Sequence, residues 1–220
     1  AKTPMSIQDN LLQIKQSLPA SVTLVAISKT KPVADLMQAY DAGQRIFGEN
    51  KIQEMVEKFE QMPKDIAWHM IGHVQTNKVK FMAPFVALIH GVDSLKLLEE
   101  INKQALKNNR IIDCLLQIHI AEEETKFGLN EAELIELLQS DTFKNLQNIK
   151  VIGLMGMATF TENQSQIRKE FNHLKTIFDQ FKIQNSSFKI LSMGMSGDHQ
   201  LAIECGSNMV RIGSSIFGGR

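Results

Sequence analysis

The alternation of short apolar runs with helix-patterned segments constrains this chain more than any other feature. Eight such runs recur along its 220 residues, at 22–28, 45–47, 67–71, 85–90, 111–120, 150–155, 188–192 and 208–212. Between them lie segments with the apolar spacing of amphipathic helices, at 33–42, 51–61, 76–82, 94–107, 130–139, 163–182 and 196–205. A leading helix is predicted at 6–18, stopped by Pro19. The punctuation agrees. Pro32 stands where a first-turn proline is tolerated. Gly43 stands at a helix stop, and Ser94 and Asn130 at N-caps. Strand and helix taking turns argues for parallel βαβ units. Eight units in a chain of this length match an α/β fold, a single (β/α)8 TIM barrel with an extra N-terminal helix. A doubly wound sheet is the rival; it usually needs fewer strands, and no G-x-G-x-x-G follows the first run. No Gly-, Pro- or Ser-rich linker and no internal repeat divides the chain, so 1–220 reads as one domain.

Bulk composition excludes several partners. Lys plus Arg and Asp plus Glu are both 24, without a basic tail or charge block, so neither nucleic acid nor a membrane surface is expected. The apolar runs are far shorter than the ~18 residues of a spanning helix. No secretory pattern opens the sequence. Cys114 and Cys205 lack metal-type spacing, and each sits in an apolar stretch as a buried thiol would. A reducing, cytoplasmic setting is therefore expected.

Active sites of such barrels lie at the C-terminal ends of the strands. That rule selects Ser28-Lys29, Gly48-Glu49-Asn50, Gly72-His73, His119, Met155-Gly156-Met157, 192–198 and 211–214. A lysine at a strand end is most often simply solvated. Lys29, however, closes an almost wholly apolar run, and Lys31 is available as the solvated one. In a barrel the first and last strands are neighbours, so Lys29 would meet the glycine-rich ends of strands 7 and 8. Loops there commonly bind phosphate, with Ser196 and Gly197 on one side and Gly213, Ser214 and Ser215 on the other. The bland alternative is that these glycines only make tight turns. An amine beside a phosphate cradle is the arrangement that holds pyridoxal 5′-phosphate (PLP) as a Schiff base. Arg211, inside strand 8, would be either a buried ion-pair member or a permanent cation facing the pyridine nitrogen. His69 and His73 are four apart but not on a helix, and H-E-x-x-H is absent, so no metal is expected. His69 reads as a barrel-interior residue lining the pocket. Met155, Met157, Met193 and Met195 read as core or pocket wall.

Taken in order, SKTKP (28–32), FGEN (47–50), WHMIG (68–72), QTNK (75–78), KFGL (126–129), GLM (153–155), SMGMSGD (192–198) and MVRIGSSIFG (209–218) resemble the YggS/PROSC family of PLP homeostasis proteins. The fold of that family is like the barrel domain of alanine racemase. The resemblance implies that Lys29 is the Schiff-base lysine and that Ser196, Gly197, Gly213 and Ser214 hold the phosphate. It implies Arg211 as the partner of the ring nitrogen, and Asn50 and His69 as pocket residues. It also implies a role in intracellular PLP (vitamin B6) homeostasis without a turnover reaction, with PLP-dependent apoenzymes as candidate recipients. Three positions depart from the family pattern: His73 stands where proline is common, His119 where asparagine is common, and Ser214 where threonine is common.

Two functions follow from one site. A carrier, expected to be monomeric and not an enzyme, needs only the cofactor pocket. An amino-acid racemase needs a second base, which in alanine racemase is a tyrosine brought by the partner's C-terminal domain. The sequence ends at Arg220, so that domain is not expected here, and Tyr40 falls on the first barrel helix. A racemase would have to recruit His69, His73 or Lys31. A phosphosugar-binding barrel without PLP is a third reading.

Overall fold

The computed structural model describes residues 5–124 and 127–219. Lys126, which opens the 126–129 block, and Arg220 lie outside the described residues. Eight parallel strands close into a barrel in sequence order. They are β1 (Thr23–Ile27), β2 (Ile46–Glu49), β3 (Ala67–Met70), β4 (Leu88–Val92), β5 (Ile112–Gln117), β6 (Ile149–Met155), β7 (Ile190–Ser192) and β8 (Met209–Ile212). Closure is made by β1 on β8, with Val25 opposite Arg211 and Ala26 opposite Ile212. Helices α1 (Ile7–Ser17), α2 (Val33–Asp41), α3 (Ile52–Gln61), α4 (Val79–Met82), α5 (Leu95–Lys107), α6 (Glu131–Gln139), α7 (Asp141–Lys144), α8 (Gln164–Gln184), α9 (His199–Glu204) and α10 (Ser214–Phe217) complete the chain. The leading α1 packs against α2 and α10, where Asn10 Nδ2 donates to the Ile216 carbonyl at 3.0 Å.

Local chemistry sets the boundaries. Ser94 caps α5 by accepting from the Leu97 N–H, and Asn130 and Glu133 cap α6 reciprocally. Gly43 leaves α2 at φ +106°, a conformation that favours glycine. Some elements differ from the sequence reading. β4 begins at Leu88 rather than at 85, because Phe85 and Val86 still donate to the Met82 carbonyl and finish a helical turn. β5 stops at Gln117, beyond which Ile118 makes only an isolated bridge to Leu129. α9 begins at His199 rather than at 196, because the Asp198 carboxylate accepts from the Met195 N–H at 2.7 Å and holds 195–198 as a turn. α7 and α10 were not anticipated; each is a single turn, α7 being capped by Ser140.

Strand alternation divides the apolar side chains into two layers. Leu24 and Ala26, Trp68 and Met70, and Val210 and Ile212 face the helices within the larger core. Val25, Ile27, Leu88, Leu115, Ile152 and Met209 fill the barrel interior. At Gly153 the interior strand approach is so close that an added Cβ would sit 1.8 Å from the Ile190 carbonyl oxygen. Gly153→Ala is therefore expected to destabilise the protein by about 3 kcal/mol by forcing β6 from β7. A shift in the denaturant midpoint would measure it; an unchanged midpoint would contradict the close approach.

Candidate functional site

The barrel interior changes character along its axis. On β4, β5, β7 and β8 the inward residues Leu88, Leu115, Ile190 and Met209 are apolar and pack together. Two residues further along each strand stand His90, Gln117, Ser192 and Arg211, all buried. The period of two places them on the same inward face, one layer closer to the C-terminal mouth. His69 on β3 is also buried and bonds across to His90. The mouth of the barrel therefore rests on a polar floor above an apolar plug.

Arg211 is 2% exposed and makes no salt bridge among the described residues, so the ion-pair alternative does not hold. It donates through Nη1 to Ser192 Oγ and through Nη2 to the Gly156 carbonyl at 3.2 Å. Burial pulls its pKa down to about 10, partly offset by Asp198, and it stays a cation at neutral pH. Ser192 Oγ lies 3.0 Å from His90 Nδ1, and His90 Nε2 lies 2.9 Å from His69 Nδ1. Burial holds both imidazoles neutral, with the His69 pKa pushed down to about 3 and that of His90 well below its usual value.

Lys29 lies two residues beyond the end of β1 and is half-buried. Its ammonium has no hydrogen-bond or ion-pair partner among the described residues. The backbone on either side of it is fixed. Lys58 Nζ donates to the Ser28 carbonyl at 2.7 Å, to Glu49 Oε2 at 2.9 Å and to Glu54 Oε2 at 2.7 Å. Ser28 Oγ donates to Glu49 Oε2, and the Thr30 N–H donates to Glu54 Oε2 at 2.7 Å. Thr30 is held at φ +63°, outside the range most residues prefer. Burial pushes the Glu49 pKa up to about 7, against the pull of Ser28 and Lys58.

The ends of β7 and β8 meet beside Lys29. An added Cβ on Gly213 would lie 3.0 Å from Ile27 Cβ, so this turn packs closely against the end of β1. Ser196 Oγ accepts from the Gly213 N–H at 3.3 Å and joins the two loops. The N–H groups of Ser196, Gly197, Ser214 and Ser215 have no acceptor among the described residues. Gly197 and Ser214 are exposed, and a Cβ on Gly197 would meet nothing within 4 Å. Asn50 follows β2 and is half-buried beside the β2–β3 junction, where the Ile71 N–H donates to the Glu49 carbonyl at 2.9 Å.

The structure thus brings Lys29, Ser196, Gly197, Gly213 and Ser214 to one side of the mouth, with Arg211 and His69 in its floor. It separates His73 from His69: His73 stacks on Phe127 at 4.0 Å between ring centroids. His119 is occupied locally, 2.9 Å from the Glu123 carbonyl. Tyr40 is on α2, with its hydroxyl 2.7 Å from Asp65 and Arg45 over its ring. Among the described residues no cluster of three or more metal-ligating side chains occurs, and no helix is long and apolar enough to cross a membrane. Sequence reasoning missed His90, Lys58 and Glu54, and gave Ser192 no role. The available signal for His90 was a polar residue at the end of an otherwise apolar run. Lys58 carried none, since a helix lysine is ordinarily solvated.

The family model described as alanine racemase, N-terminal domain, matches residues 4–220. A "pyridoxal phosphate homeostasis protein" of Pasteurella multocida is 37% identical over 231 residues, covering 98% of each chain. One from Aquifex aeolicus is 40% identical over 199 residues, 90% of this chain and 86% of that one. Among solved structures, PipY of Synechococcus elongatus, 33% identical, superposes with a TM-score of 0.91 without PLP and 0.87 with PLP bound, over 97% of this chain and 100% of that one. Alanine racemase of Clostridium difficile, 17% identical, shares the fold with a TM-score of 0.81 over 98% of this chain and 60% of its own. Identity across nearly the whole length, on a barrel of this topology, makes the chain a member of the alanine racemase N-terminal domain family and, within it, of the pyridoxal phosphate homeostasis proteins.

Proposed function

We propose that this chain, as one domain, binds PLP as a Schiff base on Lys29 and serves intracellular PLP homeostasis without catalytic turnover. The observation that carries the reading is the pairing of an unpartnered lysine with a set of unused backbone N–H groups across the β1–β8 seam. The amine supplies the covalent link, with loss of water from the aldehyde. Ser196, Gly197, Gly213 and Ser214 supply donors to the phosphate oxygens. Arg211 is a fixed cation in the floor and pairs with an unprotonated ring nitrogen. Asn50 and His69 line the remaining wall. An unprotonated ring is a weak electron sink, which suits storage better than carbanion chemistry.

The PLP-bound PipY structure and the names of the relatives support the ligand. The absence of turnover is supported by Tyr40, which Asp65 and Arg45 hold on the outer helix, away from any role as second base. A cytoplasmic monomer that hands PLP to apoenzymes completes the reading; the two buried free thiols accord with a reducing compartment.

Lys29→Ala is expected to abolish the near-visible absorption band of lysine-bound PLP and leave weaker, phosphate-driven binding in a spectral titration. A variant that keeps the full band would sink the assignment. Ser196→Ala combined with Ser214→Ala should weaken PLP about tenfold or more while changing pyridoxal, which lacks the phosphate, little. Equal losses for the two ligands, measured by calorimetry, would remove the cradle from these loops.

A further inference from the structure

The hydrogen bonds beneath the mouth form one chain, and only one direction along it gives the Ser192 hydroxyl proton an acceptor among the described residues. Arg211 Nη1 can only donate, so Ser192 Oγ accepts from it. Ser192 has one hydroxyl proton, and His90 Nδ1, at 3.0 Å, is its acceptor among the described residues. His90 Nδ1 is then unprotonated, and its Nε2 carries the proton of a neutral ring. That N–H donates to His69 Nδ1 at 2.9 Å. His69 is left as the Nε2–H tautomer, with its lone pair consumed. His90 and Ser192 are fully enclosed, whereas His69 keeps 5% exposure. Its Nε2 has no partner among the described residues.

We propose that His90 and Ser192 are positioning residues: they form a one-way relay that seats Arg211 and fixes His69 as an Nε2–H donor to a lone-pair-bearing atom of the bound ligand's ring end. Arg211 and His69 then both face the ligand as donors. His69 serves the ligand as a hydrogen-bond donor and not as a proton-accepting base, which removes it from the groups a racemase would have to recruit. The low pKa values of both imidazoles accord with this, since neither ring charges near neutral pH and reverses the chain. The inference rests on the PLP reading only for the identity of the ligand; the proton order belongs to the protein itself.

The test has two parts. Long-range proton–nitrogen correlation spectra of the unliganded, nitrogen-15-labelled protein should show His69 and His90 both protonated on Nε2 alone, unchanged as pH falls from about 8 to about 5.5. Protonation of His69 on Nδ1, or titration of either ring in that interval, would overturn the relay. Ser192→Ala should free the His90 tautomer and weaken PLP about tenfold while leaving the competing affinity of inorganic phosphate unchanged. A parallel loss of phosphate binding, or an unaltered His90 tautomer, would count against the relay. If the native protein fails to bind PLP, the functional reading falls, while the tautomers still decide the proton order.

Discussion

The parallel pairing of β1 with β8 is the contact on which the rest of the structure depends. It joins residues near the two ends of the sequence, setting Val25 opposite Arg211 and Ala26 opposite Ile212. One step beyond the seam lie Lys29 on one strand and Gly213 and Ser214 on the other. Without closure, a lysine near the start and a glycine-rich ending would share no surface. The Gly213 turn packs closely on Ile27, where an added Cβ would lie 3.0 Å from Ile27 Cβ.

Burying charge beside the mouth is costly, and hydrogen bonds offset part of that cost, although Glu49 Oε1 is buried without a hydrogen-bond partner among the described residues. Lys58 and Glu49 are nearly or wholly enclosed, 2.9 Å apart; Lys58 donates to the Ser28 carbonyl, and Glu49 accepts from the Ser28 hydroxyl, both beside Lys29. That arrangement stiffens Ser28 and Thr30 while leaving the Lys29 side chain unengaged. Arg211 is treated differently. It has no carboxylate partner and is satisfied by a hydroxyl and a carbonyl, so its charge remains available to a ligand. A floor of neutral imidazoles and one cation favours an electron-rich, acceptor-bearing guest.

Much of this was legible in the sequence, for identifiable reasons. The barrel followed from eight apolar runs at regular spacing, and α5 and α6 were marked by their caps at Ser94 and Asn130. The rule that barrel sites lie at strand C-terminal ends drew attention to Lys29, Asn50, Ser196, Gly213 and Ser214. What escaped was pairwise and long-range. His69 lies 21 positions from His90, which lies 102 positions from Ser192, and no local pattern announces such bonds. The near pair His69 and His73 instead suggested itself, and the structure sends the second ring to Phe127. The start of α9 was misplaced because helical spacing cannot distinguish a helix from the Asp198 turn that precedes it.

The central claim is that Lys29 is the residue that takes PLP covalently. Borohydride reduction of the purified protein with PLP, followed by peptide mass mapping, tests it most directly. A single pyridoxyl adduct, on Lys29, is the expected result. An adduct on another lysine, adducts scattered over surface lysines, or none at all would contradict it and leave a phosphate-binding barrel whose ligand is a different molecule.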